Sequence, residues 1–283
     1  MEKKSYTRVT LSLDVVNRIE DGPHKGYHEL AIIKHQIEMH DIISLKNSSS
    51  TSIDCDDPRV PCDQSNICWR AVDLIKNEYD IDKHVSITIQ KKIPVMGGMA
   101  GGSANAETTL SLLNDLWGLG LSSELLMASG RKLGMDVPYF FAGGTAFDSE
   151  ATGCLRKIPS ELRLYFVIAI PDFGVSTSEA YRGLDYSHIN KQHEKTLMME
   201  SCFGKNDLNG VISSMHNDFE ENVFRAHPAL VKVKADLMEA GCLMAVMTGS
   251  GSTVIGVTSD ISSAEKICGK MNLRTVISST LNS

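Results

Sequence analysis

The chain has 283 residues, of which 42% are hydrophobic and 22% charged, with 28 Lys and Arg against 35 Asp and Glu. This composition is ordinary for a globular protein. The net charge of −7 argues against a large nucleic-acid surface, which needs clustered cations. No apolar run approaches the ~18 residues of a membrane helix, and the amino terminus lacks a signal-peptide core. We therefore expect a protein of the cytoplasm without nucleic-acid or membrane partners.

The seven cysteines support the same compartment. They form no C-x-x-C pair, and the only cluster, Cys55, Cys62 and Cys68, has spacings that fit no common metal site. Reduced thiols in a cytoplasmic protein are the simplest interpretation.

The first half of the chain mixes strand and helix patterns. Residues 9–16 alternate apolar and polar side chains, which predicts a half-buried strand, and the Ser-, Asp- and Pro-rich stretch 47–63 is typical of a loop. After the glycine-rich segment, one apolar stripe predicts a helix of about four turns. The further expected elements are an extended run over 30–45, a strand over 85–89, and helices over 67–79, 106–117 and 122–133, the last ending before Gly134.

The second half shows a similar mixture. Helices are expected near 207–224, 228–240 and 262–271, and strands over 165–170, 243–247, 253–257 and 273–278. A composition shift near residues 148–160 indicates a boundary between two domains, which we place over 1–153 and 154–283.

The strongest chemical signal is a glycine-rich segment between a strand and a helix. Four glycines, at 97, 98, 101 and 102, precede Ser103. Glycines let the backbone turn tightly and expose consecutive N–H groups, and a helix start adds its positive dipole end, so the segment is typical of a phosphate site. Neither the Walker A nor the dinucleotide-fold pattern is present. The alternative is a tight strand–helix turn without a ligand. The hydroxyl of Ser103 fits either a cap of the helix or a contact with a magnesium-bound phosphate.

Two weaker signals lie further along. A second glycine turn, Met247-Thr-Gly-Ser-Gly-Ser-Thr253, separates two apolar runs, but a glycine-containing hairpin looks the same. Asp136 stands two residues before Pro138, which by spacing alone fits a helix N-cap as well as a catalytic carboxylate.

These segments resemble the GHMP small-molecule kinases. The shared pattern is a short N-terminal strand, then P-x-x-G-G-x-x-G-G-S-x-N-A, then T-G-S-G-S-T. The chain is most similar to the branch that phosphorylates 4-diphosphocytidyl-2-C-methyl-D-erythritol in isoprenoid precursor biosynthesis. That similarity includes Gly26-Tyr-His-Glu29, Leu133-Gly-Met-Asp-Val-Pro138 and Asn217-Asp-Phe-Glu220. The resemblance implies an α+β fold of two domains, an N-terminal domain like domain 2 of ribosomal protein S5 and a C-terminal ferredoxin-like α/β sandwich, with a cleft between.

The resemblance also implies a nucleotide site. ATP and Mg2+ are the expected cofactors, with Ser103 near the metal through the phosphates. The residues matching the phosphate positions are Gly97, Gly98, Gly101, Gly102 and Ser103, and those matching the adenosine side are Asn66 and Lys91.

An acceptor site follows from the same resemblance. Asp136 matches the catalytic aspartate, which accepts or orients the proton of the acceptor hydroxyl. The positions matching the acceptor site are Tyr27, His28 and Tyr181 at the cytidine end, and Thr10, Gly249, Ser250 and Gly251. Without the resemblance, Tyr27 and His28 would be interpreted as a surface loop pair. The expected partner is a small-molecule phosphate acceptor, and the expected protein is a monomer or a weak homodimer.

Three residues depart from the branch pattern. Where the branch reads Pro-Ala-Lys-x-Asn-Leu, the chain has Arg8 in place of the lysine and Thr10 in place of the asparagine. Arg8 keeps the positive charge but presents a planar fork instead of a point charge, and we assign it a catalytic role beside Asp136. Glu107 replaces a small residue one turn into the phosphate-binding helix, where it would repel phosphate unless it turns away or meets the metal.

Three rival functions remain open on the sequence. One is a GHMP kinase with a different small alcohol as acceptor, which the changes at Arg8 and Thr10 favour. The second is a nucleotide-binding homologue without catalysis, which the retained Asp136 and Ser103 disfavour. The third is a related decarboxylase that phosphorylates and then eliminates, which carbon dioxide release would reveal.

Overall fold

The computed structural model describes residues 1–187 and 189–281. Within this part the strands are β1 (Glu2–Arg18), β2 (His28–Ser48), β3 (Ser52–Cys55), β4 (His84–Gln90), β5 (Thr145–Glu150), β6 (Leu155–Lys157), β7 (Tyr165–Ala169), β8 (His216–Asn217), β9 (Met244–Met247), β10 (Val254–Thr258) and β11 (Thr275–Ser279). The helices are α1 (Ile67–Tyr79), α2 (Gly101–Trp117), α3 (Ser123–Leu133), α4 (Val137–Ala142), α5 (Thr177–Arg182), α6 (His193–Gly204), α7 (Leu208–Ser213), α8 (Phe219–Ala226), α9 (Ala229–Ala240) and α10 (Ile261–Cys268).

One compact unit comprises residues 1–7, 39–95 and 100–142. In it β2 pairs antiparallel with β4, with Ile43 opposite Ile89, and β3 adds to the other edge of β4 in parallel. Helices α1, α2 and α3, together with Val137 at the start of α4, supply the rest of its core. The alternating strand residues and the helix stripe meet there, among them Leu45, Ile87, Ile75, Leu110 and Leu113. This arrangement fixes the start of α2.

The second unit comprises residues 8–38, 96–99 and the described part of 143–283. Its main sheet has the order β11-β7-β10-β9, antiparallel throughout. A second set of pairings joins β1 to β8 in parallel, β2 to β5, and β5 to β6. The core packs side chains of the sheet against α8, α9 and α10. This unit carries the turn between β9 and β10, which is the second glycine turn of the sequence.

Several sequence predictions are confirmed and others are wrong. Helix α1 has the predicted ends, and α2, α3, α9 and the strands β4, β7, β9, β10 and β11 lie close to where they were expected. The stretch 47–63 is not only a loop, because it contains β3. The prediction of a single helix near 207–224 is wrong, because β8 lies between α7 and α8 in that stretch. The domain boundary at residue 153 stays a prediction.

Among the described residues, no helix combines the length and the apolar character that crossing a bilayer requires.

A buried histidine predicts how stability depends on pH. His35 is 2% exposed, its ring nitrogens lie 2.8 Å from Thr145 Oγ1 and 2.9 Å from Thr280 Oγ1, and it packs against Phe166 and Phe203. Burial lowers the pKa of His35 to about 4. In the unfolded chain the pKa is about 6.5, so between these values the unfolded state binds the extra proton and stability falls as pH falls.

We expect His35 to lower the free energy of unfolding by about 2 kcal/mol at pH 5 relative to pH 7.5. Urea unfolding of the wild type and of His35→Gln at both pH values isolates this contribution, because all other titrating groups are shared. The variant should lose less stability on acidification. Equal losses of unfolding free energy in both proteins would show that His35 does not stay neutral in the folded state.

Candidate active site

The glycine-rich segment ends in the first turn of α2. The helix begins at Gly101, and its N-cap residue is Ala100, which has φ +53° and makes no capping hydrogen bond through its side chain. Ser103 is therefore the third residue of the helix, so the alternative that Ser103 caps it is wrong. A helix start without a side-chain cap presents its N–H groups and its positive dipole end to a ligand, which favours an anion.

A buried ion pair lies beside this helix start. A Cβ added at Gly101 would lie 2.8 Å from Ile93 Cγ2 and 3.3 Å from Lys91 Nζ, so only glycine lets the helix approach this closely. The Lys91 ammonium lies 2.5 Å from Asp41 Oδ2, and Asp41 Oδ1 accepts hydrogen bonds from the N–H groups of Lys92 and Ile93. Asp41 thus holds the segment before the glycines and keeps a cation next to the helix start.

Asn66 serves the local backbone. It is the N-cap of α1, where its Oδ1 accepts from the N–H of Cys68 at 2.8 Å and its Nδ2 donates to the carbonyl oxygen of Pro61 at 2.7 Å. Both ends of the amide are used within the loop and the helix that it joins. A direct contact between Asn66 and a nucleotide stays a prediction.

Glu107 turns away from the helix start. Its carboxylate accepts hydrogen bonds from Ser111 Oγ at 2.7 Å, one turn further along α2, and from Thr108 Oγ1 at 3.1 Å. Burial raises the pKa of Glu107, and the nearby charge of Lys3 opposes that rise. The charge that departs from the family pattern is therefore directed away from the phosphate end of the helix.

Asp136 lies immediately before α4 and is half-buried. A Cβ added at Gly130 of α3 would lie 2.8 Å from Val137 Cγ1, so α3 packs closely against the start of α4. This contact fixes the backbone next to Asp136, which belongs to the same unit as the start of α2.

Arg8 and Thr10, the two departures in β1, contact each other. The guanidinium of Arg8 donates through Nη1 to Thr10 Oγ1 at 3.1 Å and to the carbonyl oxygen of Gly98 at 2.8 Å. Arg8 is 5% exposed. The threonine hydroxyl thus serves the arginine, so the two changes are coupled, and the cation is held against the first glycine pair.

The two glycine motifs pack against each other within the second unit. Gly98 has φ +72°, and a Cβ there would collide with the carbonyl oxygen of Thr248 and lie 2.7 Å from the nitrogen of Gly251. Gly249 has φ +55°, and a Cβ there would lie 2.5 Å from Gly98 O and 3.4 Å from Arg8 Nη1. These positions need glycine for both conformation and space. Residues 248–251 form the central part of the second glycine turn, between β9 and β10.

An aromatic cluster forms around His28. Its ring stacks on Tyr181 with centroids 4.6 Å apart and on Tyr186 at 5.9 Å, and its Nε2 lies 2.7 Å from the Tyr186 hydroxyl. Tyr27 is 53% exposed and meets His24 edge-on. At 4.6 Å the rings of His28 and Tyr181 touch, so a base would stack on an outer face of the pair. Sequence reasoning missed Tyr186, because no motif marks it.

The environment of His28 favours its neutral form. Partial burial and the charge of Arg18 lower the pKa of His28 below its usual value. A neutral imidazole offers one donor and one acceptor, which matches the mixed edge of a heterocyclic base. The prediction that Tyr27, His28 and Tyr181 grip a cytidine stays open.

The comparisons with known proteins identify the fold and the relatives. The model described as GHMP kinases N terminal domain matches residues 66–144, and that described as GHMP kinases C terminal matches residues 199–275. A 4-diphosphocytidyl-2-C-methyl-D-erythritol kinase of Clostridium botulinum strain Eklund 17B is 35% identical over 272 residues, covering 96% of this chain and 95% of that protein. One of Shouchella clausii is 35% identical, covering 93% of this chain and 88% of that protein.

Solved structures share the fold over all or nearly all of the chain. The crystal structure of a 4-(cytidine 5'-diphospho)-2C-methyl-D-erythritol kinase matches with a TM-score of 0.81 and 24% identity and covers 100% of both chains. That of the homoserine kinase of Cytophaga hutchinsonii matches with a TM-score of 0.74 and 18% identity, covering 98% of this chain and 94% of that one. The two-domain α+β fold expected from the sequence is confirmed.

Proposed function

The chain belongs to the GHMP kinase family, and we propose that it uses ATP to phosphorylate a hydroxyl group of 4-diphosphocytidyl-2-C-methyl-D-erythritol. The observation that carries this proposal is the 35% identity to an enzyme of that name over 96% of the chain. The protein is then a phosphotransferase with an alcohol acceptor, and its place is the synthesis of isoprenoid precursors.

Asp136 and Arg8 carry the chemistry in this proposal. The acceptor oxygen forms a bond to the γ-phosphorus of ATP while the bond from that phosphorus to the bridging oxygen of ADP breaks. Asp136 orients the acceptor hydroxyl and takes its proton, and Arg8 neutralises charge that develops on the phosphoryl oxygens. The products are ADP and a phosphate monoester.

The nucleotide contacts follow the sequence motif. The uncapped start of α2 supplies N–H donors and the positive end of the helix dipole for phosphates. We assign the phosphates to Gly97, Gly98, Gly101, Gly102 and Ser103, and the adenosine side to Asn66 and Lys91.

Magnesium fits this donor set as an ion that arrives with the nucleotide. In residues 1–187 and 189–281, no three His, Cys, Asp or Glu side chains form a group that could hold a metal. Mg2+ in nucleotide sites is held largely by phosphate oxygens and water, with few protein ligands, and when bound it would neutralise phosphate charge. Ser103 is the protein ligand that we assign to it, by its hydroxyl in the first turn of α2.

The acceptor contacts lie in the second unit. The aromatic residues Tyr27, His28 and Tyr181 would hold the cytidine end, since a base stacked on an aromatic ring gains about 1–3 kcal/mol. Thr10, Gly249, Ser250 and Gly251 would line the reacting end, close to the Arg8 guanidinium.

The charge of Arg8 is expected to matter more than its shape. Arg8→Lys should keep kcat within about fivefold of the wild type, because it retains a cation, whereas Arg8→Gln should lower kcat about 100-fold. Steady-state kinetics with both variants at saturating ATP checks this. An inactive lysine variant would contradict the prediction and show that the site is built around the guanidinium.

The experiment that tests the function is acceptor-dependent ADP release over a small panel. The panel contains 4-diphosphocytidyl-2-C-methyl-D-erythritol, the same branched alcohol without the cytidine diphosphate, mevalonate and homoserine. The proposal expects turnover with the first acceptor alone. Turnover with another alcohol would support the rival kinase suggested by Arg8 and Thr10, and no turnover with any acceptor would support the non-catalytic homologue.

Three further parts of the proposal concern the whole protein. We place it in the cytoplasm, since all seven cysteines are free thiols in the described structure. We assign it as a monomer or a weak homodimer. We also assign nucleotide binding to a domain over residues 1–153 and the remaining function to residues 154–283.

A further inference from the structure

Strand β8 consists only of His216 and Asn217, yet both residues are 5% exposed. It pairs in parallel with β1, with Ser12 opposite His216 and Leu13 opposite Asn217. A two-residue strand makes few backbone hydrogen bonds, so its side chains must hold it in place. Asn217 begins the motif Asn217–Glu220, and His216 directly precedes it. The catalytic assignment gives this motif no role.

The imidazole of His216 anchors β8 to β1. Its Nδ1 lies 2.8 Å from the carbonyl oxygen of Ser214, which only accepts, so this nitrogen donates. Its Nε2 lies 2.9 Å from Asp14 Oδ1, and Thr196 donates to Asp14 Oδ2 at 2.6 Å. Asp14 is fully buried. The hydrogen bonds of His216 and Asp14 therefore fix β8 against β1 inside the second unit.

From β8, the side chain of Asn217 reaches the second glycine turn. Its Nδ2 donates to the carbonyl oxygens of Met247 at 2.6 Å and Gly249 at 2.8 Å, and its Oδ1 accepts from the N–H of Phe219 at 2.9 Å. These partners fix the amide orientation, because a flipped amide would face two carbonyls with its oxygen. Both amide hydrogens are thus donated to the carbonyl groups of the two residues that flank Thr248.

The rest of the motif holds the same turn from a second side. Glu220 Oε1 accepts from the N–H of Met247 at 2.8 Å, and Lys234 donates to Glu220 Oε2 at 2.6 Å. Asp218 Oδ2 accepts from the N–H of Val15 at 2.9 Å. Asn217, Asp218 and Glu220 together join β1, β9 and the start of the turn.

The position of this turn determines the surroundings of Arg8. Thr248 Oγ1 accepts from the N–H of Thr10 at 2.8 Å, and the carbonyl of Thr248 is in contact with Gly98. Gly249 packs between Gly98 O and the Arg8 guanidinium. Moving the turn by a few tenths of an ångström would therefore move the carbonyl of Gly98 to which Arg8 donates.

We propose that Asn217 is a positioning residue for phosphoryl transfer, which holds the second glycine turn in place and, through it, positions the Arg8 guanidinium. This inference rests on the proposed kinase function for its kinetic consequence. Its structural half, that Asn217 holds residues 248–251, stands on the hydrogen bonds alone.

Asn217→Asp is the sharpest variant. It keeps the size and the Oδ1 acceptor but turns the amide donor into an oxygen facing two carbonyls. Asn114→Asp is the matched control, because Asn114 likewise donates to a loop carbonyl, that of Leu121, and accepts from the same residue, within the other unit. If Asn217→Asp does not fold by circular dichroism, Asn217→Ser replaces it, since it removes the amide without adding charge.

Hydrogen exchange tests the structural half without any substrate. In Asn217→Asp, amide exchange over residues 248–253 should be about tenfold faster or more, while α10 exchanges as in the wild type. Asn114→Asp should leave residues 248–253 unchanged. Unchanged exchange in Asn217→Asp would overturn the proposal, whatever the acceptor is.

Kinetics tests the step from the turn to Arg8. Asn217→Asp should lower kcat about 30-fold with the KM for ATP changed less than about threefold. In the Arg8→Lys background the same change should cost less than about fivefold, because coupled residues are not additive. Equal losses in both backgrounds would overturn the positioning role. A wild type without acceptor-dependent ADP release would instead overturn the proposed function, and hydrogen exchange would then decide the inference.

Discussion

Replacing Asp136 by Asn is expected to lower kcat about 1,000-fold while the affinity for ATP stays within about threefold. The amide keeps the size of the side chain but cannot take the proton of the acceptor hydroxyl. Asp136 lies at the start of α4, which close packing on α3 fixes, so the change removes chemistry more than structure.

Single-turnover kinetics and nucleotide titration together check this expectation. Asp73→Asn is the control, because Asp73 is an exposed residue of α1 in the same unit. The control should retain wild-type turnover. Full activity in Asp136→Asn would contradict the assignment of the base and would return Asp136 to the alternative of a helix cap.

Replacing Gly98 by Ala is expected to lower the free energy of unfolding by at least about 3 kcal/mol and to abolish turnover. The residue has φ +72°, and its Cβ would collide with the carbonyl oxygen of Thr248. Part of the lost free energy of unfolding comes from backbone strain. The rest comes from pushing the two glycine motifs apart.

Gly102→Ala is the matched control for stability. Its Cβ would have Ile67 Cγ2 as nearest neighbour at 3.8 Å, which is ordinary contact, so it should unfold at nearly the wild-type urea concentration. Urea midpoints of both variants provide the measurement. If Gly98→Ala were as stable as Gly102→Ala, the contact between the glycine motifs would be wrong.

The local elements could be predicted where the residues that form them are close in sequence. Helix α1 has the predicted ends because Asn66 caps its start and Asp80, with φ +52°, ends it. The glycine turns could be found because both positive φ and close backbone contact require glycine. These signals lie within a few residues of the structure that they specify.

The rest depends on pairing over long sequence distances. Strand β3 lies in a polar stretch and forms because it adds to β4, and β8 forms because two residues pair with β1, about 200 positions earlier in the chain. The ion pair between Lys91 and Asp41 likewise joins distant segments, as do the hydrogen bonds from Asn217 to the turn. Residue preference alone makes Ser103 a candidate cap of α2, whereas Ala100 occupies the N-cap position with a left-handed backbone.

The central claim is that this chain transfers phosphate from ATP to an alcohol that carries a cytidine diphosphate. Phosphorus NMR of the protein with ATP, Mg2+ and 4-diphosphocytidyl-2-C-methyl-D-erythritol tests it most directly. The account predicts ADP and one new phosphate monoester signal, with the acceptor's diphosphate intact and no reaction without the acceptor. Inorganic phosphate in place of the monoester, or no change when the acceptor is added, would contradict it.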